Sequence, residues 1–212
     1  MPALLPLFPL QLVVFPDEQL NLHIFEPRYK QLIQACEEEG ITFGIPAYID
    51  GKIMEIGTEV KLLKVEKRYP NGEMDVRTQG MGIFRIETFY KNAPGKLYAA
   101  AEIERIEAGS DKSDYLLAEA ILSILQELFV ILNVQKELPN SAADFHIHDW
   151  AHHIGLSLEQ EYELLKMEKE TERQRLVKEH LESILPKVRE VEAIRQKAMM
   201  NGHFKNIIPP KI

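Results

Sequence analysis

Four of the chain's seven histidines fall within nine residues, Phe145-His146-Ile147-His148-Asp149-Trp150-Ala151-His152-His153. If this stretch is helical, His148 and His152 stand four apart on one face, the spacing at which two imidazoles share a zinc ion. A metal-assisted hydrolase built on the 146–153 cluster is therefore the enzymatic reading of the sequence. It lacks the Glu after the first His that a zinc peptidase uses as its base, and no third ligand announces itself elsewhere. The same residues also read as architecture. Phe145, Trp150, Ile154 and Leu156 would anchor a core, and the histidines would lie on a helix surface and at its C-terminus, where the helix dipole favours positive charge. The architectural reading is preferred, and no bound metal is expected.

The sequence carries no phosphate loop and no serine-hydrolase elbow. Nucleotide hydrolysis needs a glycine-rich phosphate loop ending in Lys and Ser or Thr, whereas the eleven glycines are scattered over turns. A Gly-x-Ser-x-Gly elbow is absent, and the serines sit where caps or helix surfaces explain them. The single cysteine, Cys36, falls in a helical pattern as a small buried hydrophobe. It cannot form an internal disulfide, which suits a reducing cytoplasm. Glu26 and Arg28 have no convergent partner that would make them an acid and an electrophile. No catalytic residue and no cofactor are expected. A formal charge of -8 argues against a nucleic-acid footprint. The expected partners are proteins or small molecules.

The elements that would position these residues are read from periodicity. Residues 20–24, Leu-Asn-Leu-His-Ile, alternate as a half-buried strand. Glu26-Pro27 opens a helix in which Tyr29, Leu32, Ile33 and Cys36 share a face, and Gly40 closes it. Strand-like runs follow at 42–49, 59–69, 73–78, 83–89 and 97–106, with Asp50-Gly51, Pro70-Asn71-Gly72 and Asn92-Ala93-Pro94-Gly95 as turn chemistry. Polar residues at 108–113 then mark a boundary, beyond which no period-two run recurs. A β-rich lobe over 1–109, a helical bundle over 110–200 and a tail over 201–212 are expected. Residues 115–133 are apolar nearly all round, which predicts a helix packed on several sides at the centre of that bundle. Glu119, Gln126 and Glu127 argue against its crossing a membrane. A second helix is expected over 141–153. A third is expected to start at the Ser157 cap and to be kinked or ended by Pro186.

Leu5-Pro6-Leu7-Phe8-Pro9-Leu10, then Val14-Phe15-Pro16, then residues 20–29 ending Phe25-Glu26-Pro27-Arg28-Tyr29, resemble the opening signature of the N-terminal substrate-binding domain of Lon, the ATP-dependent protease La. Phe43-Gly44-Ile45, Ile56-Gly57-Thr58 and Gly80-Met81-Gly82-Ile83-Phe84 follow in the same order, and residues 151–157 with Leu164, Leu165 and 173–176 resemble its helical half. Two positions depart: Asp17 stands where Gly is usual, and Ile83 where Arg is common. The strand-like runs followed by helical ones read as an α+β fold, and the resemblance implies a twisted β pseudo-barrel of the PUA-like type followed by a helical bundle. It also implies a stand-alone, non-catalytic module for unfolded or extended polypeptide, or for a protein partner, in protein quality control. The contact residues it suggests are Phe15, Pro16, Phe25, Glu26, Arg28 and Tyr29, each of which also has a structural reading as bulk or helix start.

Overall fold

A computed structural model describes residues 4–107 and 113–200. The boundary expected at Gly109 and the tail expected over 201–212 lie outside the described residues. Two compact units are present. One holds the described part of residues 1–111 together with His148–Lys169, and the other residues 112–147 with 170–212 as far as described.

The first unit is built on six strands: β1 (Leu5–Leu7), β2 (Gln19–Ile24), β3 (Phe43–Ile49), β4 (Lys52–Arg68), β5 (Met74–Tyr90) and β6 (Ala99–Ile106). Their order is β2-β5-β4-β3-β1-β6, and β5 also pairs with β6. The length of β5 makes this possible, because its first half pairs with β2 and its second half with β6. The pairings thus close a ring from which β2 projects as an added edge. The ring is not a clean barrel, since β1 has three residues and meets β3 through one parallel pair, Leu7 with Gly44. The 73–78 and 83–89 runs, expected as two strands, are one continuous strand.

Helix α1 (Pro27–Glu39) begins where Pro27 presets the backbone and ends at Gly40. It buries Tyr29, Leu32, Ile33 and Cys36 in a core shared with Phe8, Phe43, Ile45, Val60 and Val76. Phe8 and Tyr29 stack with ring centroids 3.7 Å apart. A second cluster, Leu5, Leu7, Phe84 and Ala101, fills the ring. Burial drives the Cys36 thiol up to about 12. Helix α3 (Leu158–Lys166) opens on a capping box between Ser157 and Gln160. It is tied to β4 where the Ile56 N–H donates to the Tyr162 hydroxyl at 3.2 Å.

In the second unit, α2 (Tyr115–Leu132) packs with α4 (Glu170–Met200). The Asp114 carboxylate accepts from the N–H groups of Leu116 and Leu117 and so caps α2. The Asp114 N–H donates to Gln174, and Arg189 donates twice to Glu127, at 2.6 and 2.7 Å. These ties follow the same order along both helices, so the helices run parallel. Pro186 lies inside α4, which continues past it. Helix α2 is long and apolar enough by length and composition to cross a membrane, and 28% of it is buried. The expectation of packing on several sides is corrected here: Ala118, Ile121, Leu125 and Leu128 are buried, while Leu116, Glu119, Ser123, Gln126 and Val130 form an exposed line at helical spacing. The helix expected over 141–153 is replaced by three 3-10 turns, Ala142–Asp144, Ile147–Asp149 and Ala151–His153.

Candidate functional site

Phe15, Pro16, Asp17 and Glu18 make a tight turn before β2. The Glu18 N–H donates to the Phe15 carbonyl at 3.3 Å. Pro16 takes the second corner and Asp17, at φ 65, the third, as in a type II turn. The turn is held to β5, because the Asp17 N–H donates to the Gly80 carbonyl and the Gly80 N–H to the Glu18 carbonyl, at 3.2 and 2.8 Å. A Cβ at Gly80 would lie 2.3 Å from the Phe15 carbonyl oxygen, so only glycine admits this approach. Thr58 adds a short hydrogen bond from its hydroxyl to the Val14 carbonyl.

The Phe15 side chain is fully buried. His148 stacks on its ring at 4.8 Å between centroids and His152 lies tilted against it at 5.1 Å. The structure thus brings the two histidines together, but around an aromatic ring and from successive 3-10 turns, not from one helical face. Both nitrogens of His152 meet carboxylates, Nδ1 with Glu161 at 2.8 Å and Nε2 with Glu18 at 3.3 Å. These bonds raise its pKa to about 10, the Glu161 bond being the largest cause and Glu18 the next. A doubly protonated ring offers no lone pair to a metal. Among the described residues, no group of three or more His, Cys, Asp or Glu is arranged to hold a metal ion. The zinc geometry considered for His148 and His152 is corrected accordingly. Glu18 also accepts from the Phe15 N–H at 2.8 Å, so a single carboxylate ties the turn to the cation.

At the other end of β2, Phe25 is 59% exposed. Its ring stacks on His23 at 6.2 Å, and His23 meets Tyr69 edge-on at 5.8 Å. His23 bonds Asp75 at 2.7 Å and Glu73 at 3.2 Å. Its pKa is raised, chiefly by the Asp75 bond. Glu26 is the residue before the first turn of α1 and makes no side-chain cap bond; its carboxylate instead pairs with Arg28 at 2.8 Å. The Arg28 guanidinium lies 4.5 Å from the centre of the Tyr29 ring. Tyr29 itself is a core side chain, 5% exposed. The suggested contact residues therefore divide: Phe25 and Arg28 stand at the surface with Glu26 beside them, Pro16 is half-buried, and Phe15 and Tyr29 are inside.

Beside the turn lies an open cleft of about 470 Å³ lined by Asp17, Glu59, Lys61, Gln79, Met81 and Arg105. Arg105 donates to both oxygens of Glu59, at 2.7 and 3.0 Å, and Thr42 donates to it at 2.6 Å. The Arg105 bonds are the leading cause that lowers the Glu59 pKa. Met81 is 46% exposed on the cleft rim. Sequence reasoning missed this cleft and the cluster of His23, Tyr69, Glu73 and Asp75, since their members come from distant strands. The one local signal was His23 on the polar side of an alternating strand.

The family model of the ATP-dependent protease La (LON) substrate-binding domain matches residues 4–183. The chain belongs to this family. Comparison with curated protein sequences gives no match. Among solved structures it is similar to a Lon N-terminal domain protein from Xanthomonas campestris, with 23% identity and a TM-score of 0.63 over 82% of this chain and 95% of that one. It is likewise similar to the N-terminal domain of a Mycobacterium avium complex Lon protease, with 17% identity and a TM-score of 0.62 over 85% of this chain and 98% of that one. At these identities the likeness shows the fold.

The signature glycines of this LON-family chain acquire a physical reason from the ring. A Cβ at Gly44 would lie 2.6 Å from the Phe84 ring, and one at Gly57 2.7 Å from it. Phe84 fills the space that two absent side chains leave, and it is fully buried. The Asp17 departure falls at a left-handed position, where Asp is tolerated less well than Gly but better than branched residues.

Proposed function

We propose that the sheet-bearing unit recognises polypeptide segments, or a protein partner in extended form, and performs no catalysis on them, as a substrate-binding module in protein quality control. One observation carries this reading: in a member of a substrate-binding family, an edge strand runs between exposed apolar side chains, with Met81 near one end and Phe25 at the other. Accessible apolar surface is what unfolded chains offer a partner and folded ones conceal. The buried Phe15 and Tyr29 serve as supports, fixing the turn and the start of α1 from within. The absence of a phosphate loop and of a serine elbow in the sequence supports a binding role without hydrolysis.

The test is a fluorescence anisotropy titration with a reduced, carboxymethylated protein that stays unfolded, set against the same protein in native form. Binding of the unfolded form only, with affinity changing less than about threefold between low and high salt, supports recognition through apolar burial and main-chain bonds. Equal binding of both forms, or binding abolished by moderate salt, contradicts it.

A further inference from the structure

The outer edge of β2 has a hydrogen-bonding pattern that the register fixes. Glu18 and Gly80 face each other and share the Gly80 N–H bond. From there the register runs Gln19 with Gln79, Leu20 with Thr78, Asn21 with Arg77, Leu22 with Val76 and His23 with Asp75. Bonded and non-bonded pairs alternate in an antiparallel ladder. Leu20, Leu22 and Ile24 therefore turn their backbone groups to β5, and Gln19, Asn21 and His23 turn theirs outward. β2 stands last in the sheet order with β5 as its partner. Gln19, Asn21 and His23 are exposed, and among the described residues no bond to their backbone comes from elsewhere in the chain. Edge strands are commonly blunted by Lys or Pro; Gln-Leu-Asn-Leu-His-Ile contains neither.

Charge decides what fits this edge. At the Gln19 end Glu18 and Glu161 hold one cation, His152, and Asp17 lines a cleft with Lys61 and the Glu59–Arg105 pair, which leaves one acid in excess. At the Phe25 end the charges balance, with Glu73 and Asp75 against His23 and Lys67, and Glu26 against Arg28. A second copy pairing edge to edge about a two-fold axis would set its balanced end against the acidic one and add no net positive charge. An extended client with a Lys or Arg at that position supplies it.

We propose that an extended polypeptide adds to β2 as a further strand, bonding the backbone of Gln19, Asn21 and His23, with a basic residue at the Gln19 end. The inference rests on the polypeptide-recognition reading above and gives it a place. The client's side chains alternate, one set lying beside the half-buried Leu20 and Leu22 and favouring apolar residues, the other beside Gln19, Asn21 and His23 and open to most types.

The probe is a peptide of alternating Val and Thr flanked by Lys, compared with a Glu-flanked version and with one N-methylated at alternate residues so that one edge loses its donors. The Lys-flanked peptide is expected to bind the full chain, the N-methylated one about tenfold more weakly than it and the Glu-flanked one about twofold more weakly. Asn21→Pro should cost about tenfold in affinity while the unfolding midpoint holds, because its N–H faces outward and is not used by β5. Asn21→Ser should bind as the parent does. In residue-resolved amide exchange, Asn21 and His23 should gain protection on binding. Unchanged affinity after both N-methylation and Asn21→Pro, with the unfolded protein still bound, overturns the edge and leaves recognition standing. Failure of the unfolded protein to bind overturns both. If Asn21→Pro does not fold, the N-methylated peptide and amide exchange decide the matter on the unaltered chain.

Discussion

Replacing His152 by Gln removes the cation between Glu18 and Glu161, and its cost can be worked from the geometry. The pKa rises from 6.5 to about 10 in the folded chain. Taken whole, such a rise corresponds to roughly 5 kcal/mol. Solvent reaches 31% of the His152 side chain and 26% of Glu18, and screening there brings the expected figure to about 2 kcal/mol. The sign follows from the direction of the shift. The folded chain binds this proton more tightly, so the stabilisation is complete below pH 6.5, declines as the unfolded chain releases its proton, and is gone once pH passes about 10. Urea unfolding of the parent chain and His152→Gln at pH 6, 7.5 and 9 isolates this group, because other titrations cancel in the difference. The difference should be largest at pH 6 and shrink steadily toward pH 9. A difference below about 0.5 kcal/mol at pH 6, or one independent of pH, would refute the clamp.

Gly80→Ala should destabilise by about 2 kcal/mol in chemical denaturation, since its Cβ meets the Phe15 carbonyl. Asp17→Gly should leave stability unchanged or slightly higher, whereas Asp17→Val should cost about 1–2 kcal/mol at a left-handed position. Cys36, buried and with its thiol raised to about 12, should react with a thiol reagent only after the chain is unfolded; rapid labelling of the native chain would contradict its placement in the core.

Local signals explain what was legible in the sequence. The start of α1 at Pro27 and its end at Gly40, the alternation of β2, the Ser157 cap and the Pro70-Asn71-Gly72 turn all depend on residues a few positions apart. The α+β class followed from them. Gly80-Met81-Gly82 read as a break between two strands because the need for Gly80 comes from the Phe15 carbonyl, more than sixty positions away. Residues 141–153 passed for a helix, yet Ala142 with Phe145 and Ala151 with Ile154 are buried pairs three apart, the period of a 3-10 turn. Residues 115–132 looked apolar all round because Glu119, Ser123 and Gln126 are sparse, although their spacing marks one outward face. Of the suggested contact residues, chemical type alone could not tell exposed Phe25 from buried Phe15. That difference arises from His148 and His152 closing over the Phe15 ring.

On the sheet-bearing unit, the strip from Pro16 to Arg28 is the proposed meeting place for the polypeptide. Crosslinking from a photoreactive unfolded protein bound to the full chain, read out by mass spectrometry, tests this most directly. Crosslinks are expected to concentrate in residues 16–28 and in the adjoining cleft around Met81, and to be lost when an unlabelled unfolded protein is added in excess. Crosslinks confined to residues 113–147 and 170–200 would contradict it.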